Sequence, residues 1–295
     1  MRGMYKIYLD GKLVNEAPNL ITNAGRPLVL RYLAGQTSSI GGSISCGTSG
    51  TAASAADVKL GLEFMRGAVL LRGVDYTTNR VIFKATMDPA AAGVIYELGL
   101  YPYQINNAAQ YGGESFTNFD SSNEPLTGGT ANTINFRTSN QSYSVSPALS
   151  TSATISLSPI YDDLSGYQDA DIFTLGYFIN DANTATINIR IKTDAANYYQ
   201  FSFAPPTVSG YYVRDILKSS FTVVGTPTWA NISSLDFIVT AQAAGATTVQ
   251  LDAFRLNDTD IYQDYGLVSR SVLATPQPKL AGEQMDIEYL LEFNI

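Results

Sequence analysis

The chain has 295 residues, of which 18 are basic and 26 are acidic, and its formal net charge is −8. Charged residues make up only 15% of it, and no basic stripe provides the electrostatic footprint that nucleic-acid binding requires. Histidine is absent and Cys46 is the only cysteine, which excludes Ser–His–Asp and Cys–His nucleophile systems, histidine metal sites and a disulfide within the chain.

Strand patterns dominate the first 132 residues. The segment MYKIYLDGKLVNE predicts a β-hairpin that turns at Asp10 and Gly11. A helix is predicted next, in NLITNAGRPLVLRYLAG, where Asn23 is expected to cap the first turn and Gly35 to end the helix. The stretch 39–57 is rich in Gly and Ser and is interpreted as a flexible connection. Further strands are predicted in 58–71, 79–88 and 93–103, and the polar stretch 106–133 is interpreted as a loop or linker.

From residue 133 the predicted strands are longer and alternate more cleanly. In ATINIRIKT, Ile187, Ile189 and Ile191 point to one face, and the polar residues between them point to the other. In NYYQFSFA, Tyr198 should face outward if Tyr199 faces inward, because neighbouring residues of a strand lie on opposite faces. Strands separated by turns, with no helix between them, predict an antiparallel β-sandwich.

The chain closes on MDIEYLLEFNI, in which apolar and polar residues alternate. The apolar face comprises Met285, Ile287, Tyr289, Leu291, Phe293 and Ile295. A strand with one apolar face needs a partner to cover it. We expect this strand to return and pair with the N-terminal strands.

Two resemblances follow from the residues. The segments DLSGYQDADIFTLGYFIN, NYYQF, GTPTWANI and VQLDAFRL resemble the jelly-roll modules of carbohydrate-binding and galactose-binding-like domains, over 133–260. The two ends, with GLVSRSVLATPQPKLAGEQMDIEYLLEF at the C-terminus, are similar to a small β-rich module of tailed-bacteriophage fibre, baseplate and capsid-associated proteins. Together they imply a mainly β protein, in which a jelly-roll domain (133–260) is inserted into a discontinuous β-rich anchoring domain with one short helix (1–132 and 261–295) and is presented outward.

Candidate binding residues lie in the inserted part. Aromatic faces stack on sugar rings, and Tyr161, Tyr167 and Tyr211 are predicted to be exposed glycan contacts, whereas Trp229 resembles a structural tryptophan of the family. Asp171 and Asp252 are candidate calcium ligands. The alternatives are a solvated aspartate-rich loop for Asp171 and a strand-end carboxylate that accepts backbone hydrogen bonds for Asp252. No other cofactor is predicted.

No catalytic residue is predicted, because no spacing singles out a pair of carboxylates for glycan cleavage. The expected function is that of a non-enzymatic virion protein, either a capsid decoration or minor capsid protein or a tail or baseplate accessory. The alternative is a tail-fibre-type adhesin that binds host surface glycans. The resemblance implies other virion proteins as partners and a homo-oligomer, with a trimer favoured. No apolar run is long enough for a membrane span. The protein is expected to be assembled in the host cytoplasm and to reside in the virion.

Overall fold

A computed structural model describes residues 2–37, 39–102, 113–258 and 266–292. Over these residues the protein is mainly β, with a single α-helix, as the sequence predicts. The chain divides into two compact units, the first built from Met1–Gly113 together with Thr259–Ile295 and the second from Glu114–Asp258. The second unit therefore interrupts the first in sequence.

The secondary-structure elements are as follows, in chain order. The first seven strands and the helix are β1 (Arg2–Leu9), β2 (Lys12–Pro18), β3 (Leu20–Ile21), α1 (Gly25–Leu33), β4 (Ser43–Gly47), β5 (Glu63–Asp75), β6 (Arg80–Thr86) and β7 (Gly93–Tyr101). Next come β8 (Gly113–Thr117), β9 (Leu126–Thr127), β10 (Thr130–Asn132), β11 (Ser142–Val145), β12 (Ser152–Leu157), β13 (Ile172–Ile179) and β14 (Thr184–Lys192). The remainder are β15 (Tyr198–Phe203), β16 (Gly210–Leu217), β17 (Thr222–Val224), β18 (Ser234–Ala241), β19 (Val249–Asn257), β20 (Ser269–Lys279) and β21 (Met285–Glu292).

The strands of the first unit form a sheet in the order β2-β1-β21-β6-β5-β4-β7-β20-β3. β21 lies between β1 and β6 and pairs antiparallel with both. Ile287 and Tyr289 on β21 are buried opposite Ile7 and Tyr5 on β1. The predicted return of the last strand to the N-terminal strands is confirmed, although Phe293 and Ile295 lie outside the described residues.

Helix α1 begins differently from the prediction. Its N-cap residue is Ala24, which makes no side-chain capping hydrogen bond, so Asn23 is not the cap. Instead the Thr22 hydroxyl accepts a hydrogen bond from the Gly25 N–H at 2.9 Å. Gly35 follows the helix with φ +70°, the left-handed conformation that glycine adopts at low cost.

The glycine-rich stretch 39–57 is not simply a connection. It contains β4, which lies between β5 and β7 and whose five residues are all buried. Its sequence, Ser-Ile-Ser-Cys-Gly, is too short and too rich in Ser and Gly to be distinguished from the loop residues around it. The prediction of a flexible connection was therefore wrong for Ser43–Gly47.

A buried carboxylate ties the rest of that stretch to the sheet. Glu97 on β7 accepts hydrogen bonds from the backbone N–H groups of Ser49 and Gly61, both at 3.1 Å. Arg270 on β20 donates to Glu97 at 2.8 Å and forms an ion pair with Asp57 at 2.7 Å. Burial raises the pKa of Glu97, and the charge of Arg270 together with the backbone N–H groups opposes that shift.

The second unit is an antiparallel β-sandwich. One sheet, named here the β13 sheet, has the order β10-β11-β19-β13-β16, with β8 also paired to β19. The other, the β14 sheet, has the order β17-β15-β14-β18-β12-β9. The core between them is apolar and aromatic, and Phe237 and Phe254 meet in it at a ring-centroid distance of 5.2 Å.

The boundary of the second unit lies earlier than the sequence analysis placed it. The stretch 114–132 belongs to this unit rather than to the first. Within the stretch, β8 pairs with β19, β9 with β12 and β10 with β11, so its short strands complete the edges of both sheets. Strands of two to five residues among turn-forming residues carry too little alternation to be recognised in sequence.

Candidate functional site

The outer face of the β14 sheet carries a row of polar side chains. Its strands alternate, so that Ile187, Ile189 and Ile191 enter the core and the residues between them face away from it. We define the candidate face as Asn188 and Arg190 on β14, Tyr198, Gln200 and Ser202 on β15, and Ile238 on β18. Arg190 lies opposite Gln200, and Asn188 lies between Ser202 and Ile238.

The polar groups of the candidate face lack partners within the protein. Asn188 Oδ1 and Arg190 Nε are buried and accept or donate no hydrogen bond in the described structure. No hydrogen bond joins the side chains of Tyr198, Gln200 or Ser202 to another described residue. Because buried polar atoms in proteins are nearly always hydrogen-bonded, this face is suited to a ligand that supplies the missing partners.

An aromatic ring and a guanidinium group meet on this face. The Arg190 Cζ atom lies 4.8 Å from the centroid of the Tyr198 ring, a distance typical of cation–π stacking. Tyr198 faces outward and Tyr199 faces the core, as predicted, and Tyr199 stacks on Trp229 with ring centroids 3.8 Å apart. Tyr198 is therefore the aromatic residue of this strand that a ligand can reach.

The carboxylate beside the candidate face is already engaged. Asp236 lies opposite Arg190 in the β14–β18 register, but its Oδ2 pairs with Lys192 at 2.9 Å. Its Oδ1 accepts a hydrogen bond from the Ser156 hydroxyl at 2.7 Å. Arg190 consequently has no carboxylate partner among the described residues.

The outer face of the β13 sheet carries a cluster of polar groups around Asp252. The buried carboxylate of Asp252 accepts hydrogen bonds from the backbone N–H groups of Arg137 at 2.9 Å and Thr138 at 3.1 Å, and from the Tyr211 hydroxyl at 3.2 Å. The Arg137 guanidinium lies 4.0 Å from the centroid of the Tyr211 ring. Burial raises the pKa of Asp252 to about 7 despite these hydrogen bonds.

The structure does not bring the three predicted glycan contacts together. Tyr161 is 85% exposed in the loop before β13. Tyr167 is half-buried against the core, and its carbonyl accepts a hydrogen bond from Lys218 Nζ. Tyr211 is the second residue of β16, and Lys218 follows the last residue of that strand. About 20 Å of extended chain therefore separates Tyr211 from Lys218, which is the residue bonded to Tyr167. Glycan contact by these tyrosines stays a prediction, whereas the sequence analysis did not single out Arg190 and Tyr198 as binding residues.

The two calcium candidates also lie apart. Asp171 immediately precedes β13 and accepts a hydrogen bond from the Gln168 N–H at 2.7 Å. Asp252 lies on β19 beside Gly176 and Tyr177, about 15 Å further along β13 at the rise of a strand. Among the described residues, no group of three His, Cys, Asp or Glu side chains is close enough to hold a metal ion. Asp252 accepts hydrogen bonds from backbone N–H groups, as expected in the alternative to calcium binding.

In the described part of the chain, no helix has the length and apolar character needed to cross a membrane.

Comparison with known proteins identifies no family. No protein-family model matches the chain, and no curated protein matches it. A match to the structure of PfGH50B has 13% identity and a TM-score of 0.35 over 47% of this chain and 23% of that one. The family 11 carbohydrate-binding module from Clostridium thermocellum, in complex with a beta-1,3-1,4-mixed-linked tetrasaccharide, matches with 16% identity and a TM-score of 0.38 over 50% of this chain and 95% of that one.

A phage protein is also among the matching structures. The enzymatically active domain of bacteriophage CBA120 tailspike protein 4 has 14% identity and a TM-score of 0.28, over 44% of this chain and 17% of that one. At these identities and TM-scores, none of the likenesses assigns a function to this chain.

Proposed function

We propose that the second unit is a carbohydrate-binding module that holds a glycan on the candidate face and does not cleave it. The observation that carries this proposal is the combination of an accessible Tyr198 ring with unpartnered polar atoms on Asn188 and Arg190. Sugars offer apolar C–H faces that stack on aromatic rings, and hydroxyl groups that both donate and accept hydrogen bonds. The candidate face presents the complementary set.

The strands of the β14 sheet hold too few acidic residues for hydrolysis, which supports a role in binding alone. Asp236 is the only Asp or Glu in its six strands, and its two oxygens are held by Lys192 and Ser156. Hydrolysis of a glycosidic bond ordinarily requires two carboxyl groups on either side of that bond. Release of reducing sugar ends by the purified protein would contradict this part of the proposal.

Replacing Tyr198 with Ala is expected to weaken glycan binding by about fivefold or more, because truncating a central aromatic contact typically costs more than about 1 kcal/mol. The measurement is affinity electrophoresis or calorimetry of the full chain against a panel of host-surface and plant polysaccharides. Fluorescence of Trp229, which is the only tryptophan of the chain, verifies that the second unit stays folded.

Tyr161→Ala is the matched control, since it removes an equally large aromatic group from an exposed loop. If Tyr161→Ala weakens binding and Tyr198→Ala does not, the loop tyrosines form the site, as the sequence analysis predicted. If no glycan of the panel binds, the proposed function fails.

A second candidate function is assembly into a tailed-phage particle through the first unit. The β5–β6 hairpin exposes Leu70, Leu71, Val74 and Tyr76, and Leu70 and Tyr76 are 78% and 85% exposed. Exposed apolar groups that cluster on one element often mark protein interaction sites. In this role the chain is a structural component of the head or tail and forms an oligomer, with a trimer favoured. Sedimentation and immunogold labelling of particles test it, and a monomer absent from particles would rule it out.

A further inference from the structure

We infer that the candidate face selects sugars that carry a carboxylate, and that Arg190 is the residue that recognises it. This inference rests on the proposed function and names the ligand class of the same site.

The charges of the β14 sheet point to an anionic ligand. Arg190, Lys192 and Asp236 are the only charged residues in its strands. Lys192 and Asp236 neutralise each other in an ion pair of 2.9 Å. Arg190 is left with its charge uncompensated, on a chain whose net charge is −8. The face is therefore locally cationic although the protein is acidic.

The geometry of the Arg190 guanidinium group favours a ligand carboxylate over a neutral ligand hydroxyl. Its Nε atom is buried and has no acceptor. The Tyr198 ring lies 4.8 Å from its Cζ atom and limits the space in which the guanidinium group can move. A planar guanidinium presents two parallel N–H groups that fit the two oxygens of a carboxylate. A single sugar hydroxyl accepts only one such hydrogen bond well, so the carboxylate is the better partner.

Asn188 explains why the ligand is an acidic sugar rather than a simple anion. It lies two residues before Arg190 on β14, about 7 Å away along the strand, which is close to the width of a pyranose ring. Its buried Oδ1 lacks a hydrogen-bond donor, and chloride or sulfate has none to offer. A sugar whose carboxylate meets Arg190 places ring hydroxyl groups near Asn188, and these donate the missing hydrogen bond.

The test is calorimetric titration of the full chain with matched pairs of oligosaccharides, one acidic and one neutral. The probes are sialyllactose with its methyl ester, and oligogalacturonate with its methyl ester. In at least one pair we expect the acidic member to bind about 10- to 100-fold more tightly, as hydrogen bonds to a charged group usually provide. Added salt should reduce this ratio, because the interaction is electrostatic.

Two variants assign the preference to a residue. Arg190→Gln is expected to abolish the preference for the acidic member, because the affinity for the acidic member falls further than the affinity for the neutral member. Arg214→Gln is the control, since it removes the same charge from β16 on the other sheet and should leave the preference intact. Trp229 fluorescence confirms that both variants are folded.

The outcomes separate this inference from the proposed function. Binding of neutral sugars with no preference in either pair, or a preference that survives Arg190→Gln, overturns the inference and leaves carbohydrate binding in place. Absence of binding to every probe overturns both.

Discussion

Deletion of residues 285–295 is expected to unfold the first unit and to leave the second unit folded. The deletion removes β21, which lies between β1 and β6 and is hydrogen-bonded to both. Removing a strand from the interior of a sheet leaves two new unpaired edges, whereas losing an edge strand leaves one. The second unit has its own core and contributes none of the strands in this sheet.

The size of the effect follows from burial. Met285, Ile287, Tyr289, Leu290 and Leu291 are all buried in the first unit. Each such side chain contributes roughly 1.5–3 kcal/mol when fully buried, so their sum is on the order of 10 kcal/mol. This is as large as the whole stability of a typical domain, about 5–15 kcal/mol. The unit cannot remain folded after such a loss.

Two measurements, made on the full chain and on the deletion variant, show which unit unfolds. Hydrogen exchange should show loss of protection in β1, β6 and β5 after the deletion. Trp229, which packs against the core of the second unit, should keep its folded fluorescence and its cooperative unfolding transition. Glu288→Gln is the control, because it changes the half-exposed face of the same strand and should alter stability by no more than about 0.5 kcal/mol. Protected β1 and β6 amides in the deletion variant would contradict the expectation.

Alternation of apolar and polar residues in the sequence correctly predicts the strands that have one buried and one exposed face. On β14, the isoleucines enter the core and Asn188 and Arg190 do not. The same rule places Tyr198 and Tyr199 on opposite faces of β15. In each of these strands, burial of the apolar face contributes most of the stabilisation. The two-residue period of the sequence therefore predicts correctly which side chains enter the core.

Alternation fails where a strand is covered on both faces or where a local contact decides the geometry. β4 is a five-residue strand, Ser-Ile-Ser-Cys-Gly, that is buried on both faces, and the Gly, Ser and Thr residues around it are typical of a loop. The start of α1 depends on the hydroxyl of Thr22 rather than on the amide of Asn23. Several residue types cap helices equally well, and tertiary packing decides which of them reaches the free N–H groups.

The candidate site was predicted only in part, for a similar reason. The sequence indicates that Tyr198 and Arg190 face outward, but not that they lie on adjacent strands in stacking contact. Sheet register depends on pairing between distant segments, which a single sequence does not reveal. The tyrosines that were predicted as glycan contacts lie outside the candidate face, and one of them, Tyr211, uses its hydroxyl to bind Asp252.

The second unit is expected to lose stability as the pH rises from about 4 to about 7, because of Asp252. Burial raises the pKa of this carboxyl group to about 7 in the folded protein, whereas an unfolded aspartate has a pKa of about 3.9. Between these values the folded state holds a proton that the unfolded state has lost. The free energy of unfolding therefore falls over this range, by about 4 kcal/mol for a difference of about three pKa units.

Asp252→Asn isolates this contribution, since the amide resembles the protonated acid in shape and charge. Its oxygen can accept the backbone N–H groups of Arg137 and Thr138, and its NH₂ group can donate to the Tyr211 hydroxyl. We expect the variant to match the wild-type protein near pH 4 and to be more stable than it by a few kcal/mol, about 4 at most, near pH 8. Denaturant unfolding followed by Trp229 fluorescence measures the second unit at each pH.

Tyr211→Phe provides the control, because it removes the hydroxyl that donates to Asp252 and keeps the carboxyl group. Its stability should still fall between pH 4 and 7. Parallel curves for the wild-type protein and Asp252→Asn would show that Asp252 titrates alike in the folded and unfolded states. Repeating the series with Ca²⁺ tests the calcium prediction for Asp252. A bound cation would hold the carboxylate ionised, so the decline in stability between pH 4 and 7 would disappear in the wild-type protein.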